Sequence, residues 1–291
     1  MKKHLPRIAL HAVLILLSLC FIIPFILVIS ISLTSEEAIR EFGYGIVPKV
    51  FSIAAYRELL RNPHQLLQSY KVTIAYSALG TVLAVLVMAL MAYPLSRPNF
   101  RYKKFFTFYI FFTMIFSGGL IPTYIIQTQV YHLNNTFWIY IFPGAVSAYY
   151  VIMLRTFFKG IPESLVESAK LDGASELRCF FSIMMPLSKP VIASVSLLTL
   201  LIKWNDWQVS LIYIRDPELY SLQYLLQRIL NEAEFIKNMA EIGVMDTTTY
   251  EIPTEGIRFA MAVLAAGPML VVFPFFQKYF AKGLTVGAVK G

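Results

Sequence analysis

The residues best suited to chemistry lie together in one short run, Lys203 to Trp207, within "LLIKWNDWQVSLIYI". Charged groups inside an apolar segment are costly, so they usually pair or line a polar cavity. Lys203 and Asp206 are spaced so that they can pair with each other, which would be a purely structural role. Trp204 and Trp207 offer flat apolar faces with N–H donors, and Asn205 offers a donor and an acceptor. Because sugars have apolar ring faces and hydroxyl rims, side chains of these types suit such a ligand, and Lys203, Trp204, Asn205, Asp206 and Trp207 are candidates to line a polar path or cavity.

Catalytic and cofactor-binding spacings are absent from the sequence. It contains no G-x-x-x-x-G-K-[ST], no G-x-G-x-x-G after a strand, no H-E-x-x-H and no G-x-S-x-G. The four histidines fall in four separate segments, which disfavours a shared metal site. We therefore expect no catalytic residue, no metal site and no cofactor in this chain.

The composition identifies the kind of element that must position the Lys203–Trp207 run. Apolar residues make up 57% of the 291 residues, charged residues only 14%, and the mean hydropathy is +0.64. A helix needs about 20 apolar residues to cross the roughly 30 Å of bilayer hydrocarbon. The net charge of +8 comes from basic residues that lie beside the apolar runs, so it indicates orientation signals and not nucleic-acid binding. The chain is predicted to be an all-α, polytopic membrane protein.

Six apolar runs are long enough to span, at about residues 8–33, 72–96, 105–127, 137–158, 191–214 and 257–280. The first run is longer than the apolar core of a signal peptide, which favours a retained span. Proline occurs in or beside several of the runs, so kinked helices in one packed bundle are expected. "FSGGLIPTY" in the third run predicts a flexible or closely packed point. We interpret residues 1–291 as a single transmembrane domain.

Lysine and arginine predict the orientation. With the N-terminus inside, the inner segments hold 15 of them and the outer segments hold 8. This bias predicts that both termini lie on the cytoplasmic side of the plasma membrane. The outer connection at residues 215–255 is acidic, and Leu219, Leu222, Leu226 and Ile229 share one helical face within it. An amphipathic helix at the outer surface is expected there.

The inner connection at residues 159–190 shows a helix–glycine–helix pattern. Pro162 suits the first helical position, and Glu167 and Lys170 are spaced to pair. Gly173 can adopt the left-handed conformation that ends a helix, and Ser175 can cap the next one. From the residues alone, a solvated connector and a surface that docks into a partner both remain open.

At these residues the chain resembles the permeases of binding-protein-dependent ABC importers. Their EAA signature is Glu-Ala-Ala, three residues, Gly, nine residues, Ile, one residue and Leu-Pro. Glu167, Ala169, Gly173, Ile183 and Pro186 match it in letter and spacing, while Ser168 and Met185 stand where the signature has Ala and Leu. "DGAS" and the C-terminal "FFQKYFAKGLTVGAVKG" are similar to the carbohydrate-uptake branch and its LplC/YtcP-type oligosaccharide permeases. The resemblance extends over the whole chain.

The resemblance implies a type I importer (MetI-like) fold and a set of partners. These are a second homologous permease, two cytosolic ATPase subunits that bind ATP and magnesium, an extracellular solute-binding protein and membrane lipid. It also implies that the ATPase contacts the loop. The residues expected to make this contact are Glu163, Glu167, Ser168, Ala169, Asp172, Gly173 and Ala174.

The expected function is therefore oligosaccharide uptake, with uronate-containing sugars among the candidate substrates. Two alternatives remain at this point. One is an importer permease for a non-sugar solute, and the other, from a different class, is an intramembrane enzyme. The enzyme would require a convergent nucleophile, base or metal-ligand set, which the sequence does not display.

Overall fold

The computed structural model describes the backbone of residues 5–241 and 254–288, and this part of the chain is mostly helical. Apart from helices it contains one isolated antiparallel bridge, between Thr34 and Phe51. The α-helices are α1 (Leu5–Ser32), α2 (Glu36–Phe42), α3 (Ala54–Leu59), α4 (Pro63–Ser96), α5 (Lys103–Ile115), α6 (Leu120–Ile125), α7 (Ala148–Lys159), α8 (Ser164–Leu171), α9 (Glu176–Cys179), α10 (Met185–Leu187), α11 (Lys189–Trp204), α12 (Gln208–Tyr213), α13 (Leu222–Glu241) and α14 (Thr254–Ala288). Two π-helices, Ile126–Val130 and Phe180–Met184, and two 3₁₀-helices, Phe137–Tyr140 and Pro217–Leu219, complete the regular structure of the described residues.

Among the described residues, three helical segments are long and apolar enough to cross a membrane alone: Leu10–Ser32, Pro63–Ser96 and Thr254–Gln277. Two bent pairs raise this number to five if each pair is one span. They are Lys103–Ile115 with Leu120–Val130, bent by 112°, and Glu176–Leu187 with Lys189–Trp204, bent by 82°.

The predicted span at residues 137–158 corresponds to a 3₁₀-helix followed by α7. At about 1.5 Å per residue, the 12 residues of α7 reach only about 18 Å, which is shorter than the bilayer hydrocarbon. The total of six spans therefore stays a prediction.

The glycines of the third predicted span form a bend. Gly119 has φ +85°, which only glycine adopts without strain, and it separates α5 from α6. A Cβ on Gly119 would meet nothing within 4 Å, and one on Gly118 would meet only Pro122 at 3.8 Å. Within the described residues these glycines make no close contact, so the closely packed alternative is not observed, and flexibility at this point stays a prediction.

Two compact units are present in the chain, the first within residues 1–67 and 225–268 and the second within residues 68–224 and 269–291. In the first unit, the buried carboxylate of Glu36 accepts hydrogen bonds from Thr254 Oγ1 at 3.3 Å and from the backbone N–H of Gly256 at 3.3 Å. These groups lie at the start of α14, where free N–H donors favour an anion. The short helix α2 is thereby fastened to the long helix α14.

The second unit contains two apolar clusters. The larger one joins α4, α7, α8 and the chain from α9 to α11, with Met88, Leu154, Val166, Phe180 and Val195 buried in it. The smaller one surrounds the stacked rings of Tyr76 and Tyr140, whose centroids are 4.4 Å apart. The residues between α7 and α11 are therefore packed against the bundle through one face.

A helix is confirmed in the segment at residues 219–229, but it begins after Leu219 and continues beyond Ile229, and its position at the outer surface stays a prediction. α13 begins at Leu222 and runs to Glu241, with Leu222 and Leu226 fully buried. Leu219 lies before it, in a 3₁₀-helix that Asp216 caps through its side chain.

Candidate coupling loop and translocation path

The loop that contains the EAA pattern folds as the helix–glycine–helix motif that its residues predict. α8 ends at Leu171, and Gly173 follows with φ +81°. The N–H of Gly173 donates to Lys170 O at 3.0 Å, and the N–H of Ala174 donates to Ala169 O at 2.9 Å, which is the Schellman pattern of helix ends. Ser175 Oγ then accepts from Arg178 N at 3.3 Å and caps α9. The left-handed glycine and the serine cap are both confirmed.

The loop has one buried face and one exposed face. Val166 and Cys179 are buried in the larger apolar cluster. Leu171 and Leu177, one on each side of Gly173, are 90% and 63% exposed. Of the predicted ATPase-contacting residues, four are exposed and three are partly buried. The exposed ones are Glu167, Ser168, Asp172 and Gly173, and the partly buried ones are Glu163, Ala169 and Ala174.

Lys170 has a different partner from the one its spacing suggested. Its ammonium group pairs with Glu176 of α9, while Glu167 is exposed. The other carboxylate oxygen of Glu176 accepts a 2.7 Å hydrogen bond from the hydroxyl of Tyr93, near the end of α4. The hydrogen bond from Lys170, followed by the one from Tyr93, lowers the pKa of the Glu176 carboxyl below its ordinary value.

Neither Tyr93 nor Glu176 was predicted to belong to the site. The two are 83 positions apart along the chain, and neither stands in a motif that would identify it. Only the packing of α9 against α4 brings them together.

The run from Lys203 to Trp207 forms a break between α11 and α12. α11 ends at Trp204, and Asn205 caps it with a backbone N–H donated to Leu201 O. Asp206 Oδ1 accepts from Val209 N at 3.1 Å, so the carboxylate satisfies a free donor at the start of α12. Both residues therefore have a structural role in ending one helix and starting the next.

Lys203 is buried, with 7% of its surface exposed, and it does not pair with Asp206 in the described structure. Its ammonium donates to the backbone carbonyl of Tyr140 at 3.0 Å. The hydroxyl of Tyr76 donates to the carbonyl of Lys203 itself at 2.9 Å. The backbone of α4 gives the lysine room at Gly80, where a Cβ would lie 2.9 Å from Lys203 Cε.

The remaining members of the run differ in exposure. Trp204 is only 2% exposed, so its indole is enclosed within the chain, whereas Trp207 is 41% exposed. Asn205 is exposed, and its Oδ1 accepts from Gln223 Nε2 at 3.3 Å. Asn205 and Trp207 are thus the members of the run with exposed side chains. Their contact with a substrate stays a prediction.

Comparisons with known proteins agree over the length of the chain. Residues 77–286 match the family described as "Binding-protein-dependent transport system inner membrane component". The polygalacturonan/rhamnogalacturonan transport system permease protein YtcP of Bacillus subtilis (strain 168) is 35% identical, with 100% of both chains covered. Protein LplC of the same organism is 36% identical over 93% of this chain and 90% of its own. A crystal structure of a bacterial ABC transporter involved in the import of the acidic polysaccharide alginate superposes with a TM-score of 0.79 at 28% identity, over 96% of this chain and 98% of that one.

Proposed function

The chain belongs to the family of binding-protein-dependent transport system inner membrane components, and from that premise we propose that it is one of two permease subunits of an ABC importer for uronate-containing oligosaccharides. Its fold is the all-α fold of that family, and it is a membrane subunit of a transporter and not an enzyme. The observation that carries the proposal is the loop at residues 159–190, which has the EAA spacing, buries one face and exposes the other.

The exposed face of the loop is the surface that a cytosolic ATPase would contact. Glu167 and Ser168 provide a charge and a small profile on α8, and Leu171 provides exposed apolar area beside them. An exposed leucine contributes to affinity when a partner groove covers it, because apolar surface then leaves water. ATP and magnesium are bound by that partner, and this chain supplies the surface that receives its movement.

The assignment of partners follows from the same premise. A solute-binding protein delivers the sugar from outside, a second homologous permease completes the translocation path, and two ATPase subunits bind on the cytoplasmic side. The excess of lysine and arginine in the segments assigned to the inside supports cytoplasmic termini.

The substrate class is inferred from the relatives. YtcP is named for polygalacturonan and rhamnogalacturonan, and the superposing structure is described as importing alginate, an acidic polysaccharide. In this chain, the exposed indole of Trp207 and the amide of Asn205 would contact a sugar ring by stacking and hydrogen bonding. Lys203 would not bind the carboxylate, since its ammonium is buried and bonded to Tyr140 O.

Purification and reconstitution test this proposal. The tagged chain is purified in mild detergent from its own host, and the co-purifying subunits are identified by mass spectrometry. A second permease and an ATPase are expected, and a chain that purifies without an ATPase would contradict the importer assignment.

The purified complex is then placed in proteoliposomes with its solute-binding protein, and labelled trigalacturonate and maltotriose are compared. ATP-dependent uptake of trigalacturonate is expected to exceed that of maltotriose. Uptake of maltotriose alone would overturn the acidic-sugar assignment and leave the importer assignment intact.

A further inference from the structure

The end of α4 contacts the loop through two polar side chains. The Tyr93 hydroxyl donates to Glu176 Oε2 at 2.7 Å. Four residues later, an Arg97 guanidinium N–H reaches Met184 Sδ at 3.1 Å, and the guanidinium carbon lies 4.9 Å from the centre of the Tyr93 ring. Both contacts join α4 to the segment from α9 to the following π-helix.

Glu176 joins three elements through one carboxylate. One oxygen pairs with Lys170 of α8, and the other accepts from Tyr93 of α4, while Glu176 itself belongs to α9. The Lys170 pair is solvent-exposed on both sides, so water screens it and it contributes little. The Tyr93 hydrogen bond is the stronger link, because Tyr93 is buried at 7% exposure and its hydroxyl would otherwise lose a partner.

The middle of α4 contacts the chain at Lys203, where the Lys203–Trp207 break begins. Tyr76 of α4 donates to the Lys203 carbonyl at 2.9 Å, and its ring stacks on Tyr140. The 17 residues from Tyr76 to Tyr93 correspond to about 26 Å of continuous helix. α4 thus touches the loop near its C-terminal end and the last turn of α11, next to the break, near its middle.

We propose that Glu176 is a positioning residue for transport, and that it couples the loop to α4 through the Tyr93 hydroxyl. Displacement of the loop then moves α4 and, through Tyr76, the Lys203–Trp207 break. This inference rests on the proposed function, since it requires an ATPase that displaces the loop. The loop is already connected covalently to α11, because the chain continues directly from one into the other. The Tyr93–Glu176 hydrogen bond adds a side-chain connection between the loop and α4.

Four variants of the reconstituted complex test the role of this hydrogen bond. Tyr93→Phe removes the hydroxyl and keeps the ring under Arg97. Glu176→Leu removes the acceptor, and Glu176→Gln keeps an oxygen that can accept from Tyr93. Tyr150→Phe is the matched control, because Tyr150 is a buried tyrosine of the same apolar cluster without a hydroxyl hydrogen bond in the described structure.

Three quantities are measured for each variant: co-purification of the ATPase, ATP hydrolysis stimulated by loaded binding protein, and sugar uptake. Tyr93→Phe and Glu176→Leu should assemble normally and hydrolyse about tenfold more ATP per sugar imported. A factor of about ten is expected because the loss of a hydrogen bond to a charged group shifts an equilibrium by about this much. Glu176→Gln and Tyr150→Phe should keep the wild-type ratio. The double variant Tyr93→Phe/Glu176→Leu should be no worse than either single variant, because both remove the same contact.

The outcomes separate this inference from the proposed function. An unchanged ratio of ATP hydrolysed to sugar imported in Tyr93→Phe would overturn the inference, and so would additive effects in the double variant. Loss of assembly in Tyr93→Phe or Glu176→Leu would also overturn it, because the hydrogen bond would then serve folding and not coupling. A wild-type chain that imports no sugar with an ATPase would instead refute the proposed function.

Discussion

Gly80 makes room for the buried ammonium of Lys203, and its replacement by alanine provides a sensitive test of this packing. A Cβ at position 80 would lie 2.9 Å from Lys203 Cε and 3.1 Å from its Nζ. Contacts this short force the lysine to move away from α4. Its 3.0 Å hydrogen bond to the carbonyl of Tyr140 would then lengthen or break.

Two opposing effects determine the size of the change. Alanine in a helix interior is favoured over glycine by about 0.5–1 kcal/mol. A hydrogen bond to a charged group contributes about 1.5–3 kcal/mol, and the loss of this one leaves a buried ammonium poorly satisfied. Gly80→Ala should therefore lower the free energy of unfolding by about 1–2 kcal/mol, because the lost hydrogen bond outweighs the gain in helix propensity.

Equilibrium unfolding of the purified chain in mixed detergent micelles measures this difference, and a Lys203→Ala background supplies the decisive comparison. Without the lysine, Gly80→Ala should become stabilising by about 0.5–1 kcal/mol, since only the propensity gain remains. Gly267→Ala is the matched control in α14, where an added Cβ meets nothing within 4 Å, and it should be stabilising in both backgrounds. The reasoning would be refuted if Gly80→Ala changed stability equally with and without Lys203.

Three further predictions follow from the local geometry. Gly173→Ala should reduce sugar uptake without reducing membrane expression, because φ +81° costs an alanine about 1–2 kcal/mol; uptake in whole cells checks this. The depressed pKa of Glu176 means that its exposed pairing with Lys170 stabilises the loop only slightly at neutral pH, by about 0.2–1 kcal/mol, and that this small contribution disappears as the pH falls below the ordinary glutamate range; the free energies of unfolding of wild type and Lys170→Met should accordingly differ by no more than this at neutral pH and converge in acid. Asn135 has φ +55°, and its side-chain oxygen accepts from the N–H groups of residues 215 and 216 at 2.9 Å each. Alanine and glycine at this position both remove these hydrogen bonds, but only alanine is strained at a positive φ. Asn135→Ala should therefore lower the free energy of unfolding by about 1 kcal/mol more than Asn135→Gly in the same unfolding assay.

The fold class and the local shape of the loop could be predicted from the sequence. Apolar runs of spanning length require helices, because a bilayer leaves backbone groups no other partners. The helix–glycine–helix pattern around Gly173 depends on residues within one or two turns of each other, so its φ and the Ser175 cap followed from local chemistry. The family similarity confirms the all-α permease fold, and the number of spans stays a prediction.

The partners of the charged side chains could not be predicted in the same way. Spacing along the chain suggested pairs of Lys203 with Asp206 and of Lys170 with Glu167. In the structure, Lys203 bonds to the carbonyl of Tyr140, 63 positions away, and Lys170 pairs with Glu176. Local spacing shows only which groups can meet on an isolated helix, and it carries no information on which other helix is adjacent.

By itself, then, the sequence of this protein determined what depends on neighbours along the chain: the helices, the left-handed glycine, the serine cap and the exposed face of the loop. The tertiary structure alone decided which buried polar groups satisfy one another, including the Tyr93–Glu176 hydrogen bond and the position of Lys203 against Gly80. The physical reason is that a buried donor must find an acceptor wherever packing provides one, and packing is set by the apolar surfaces of helices that are distant in sequence.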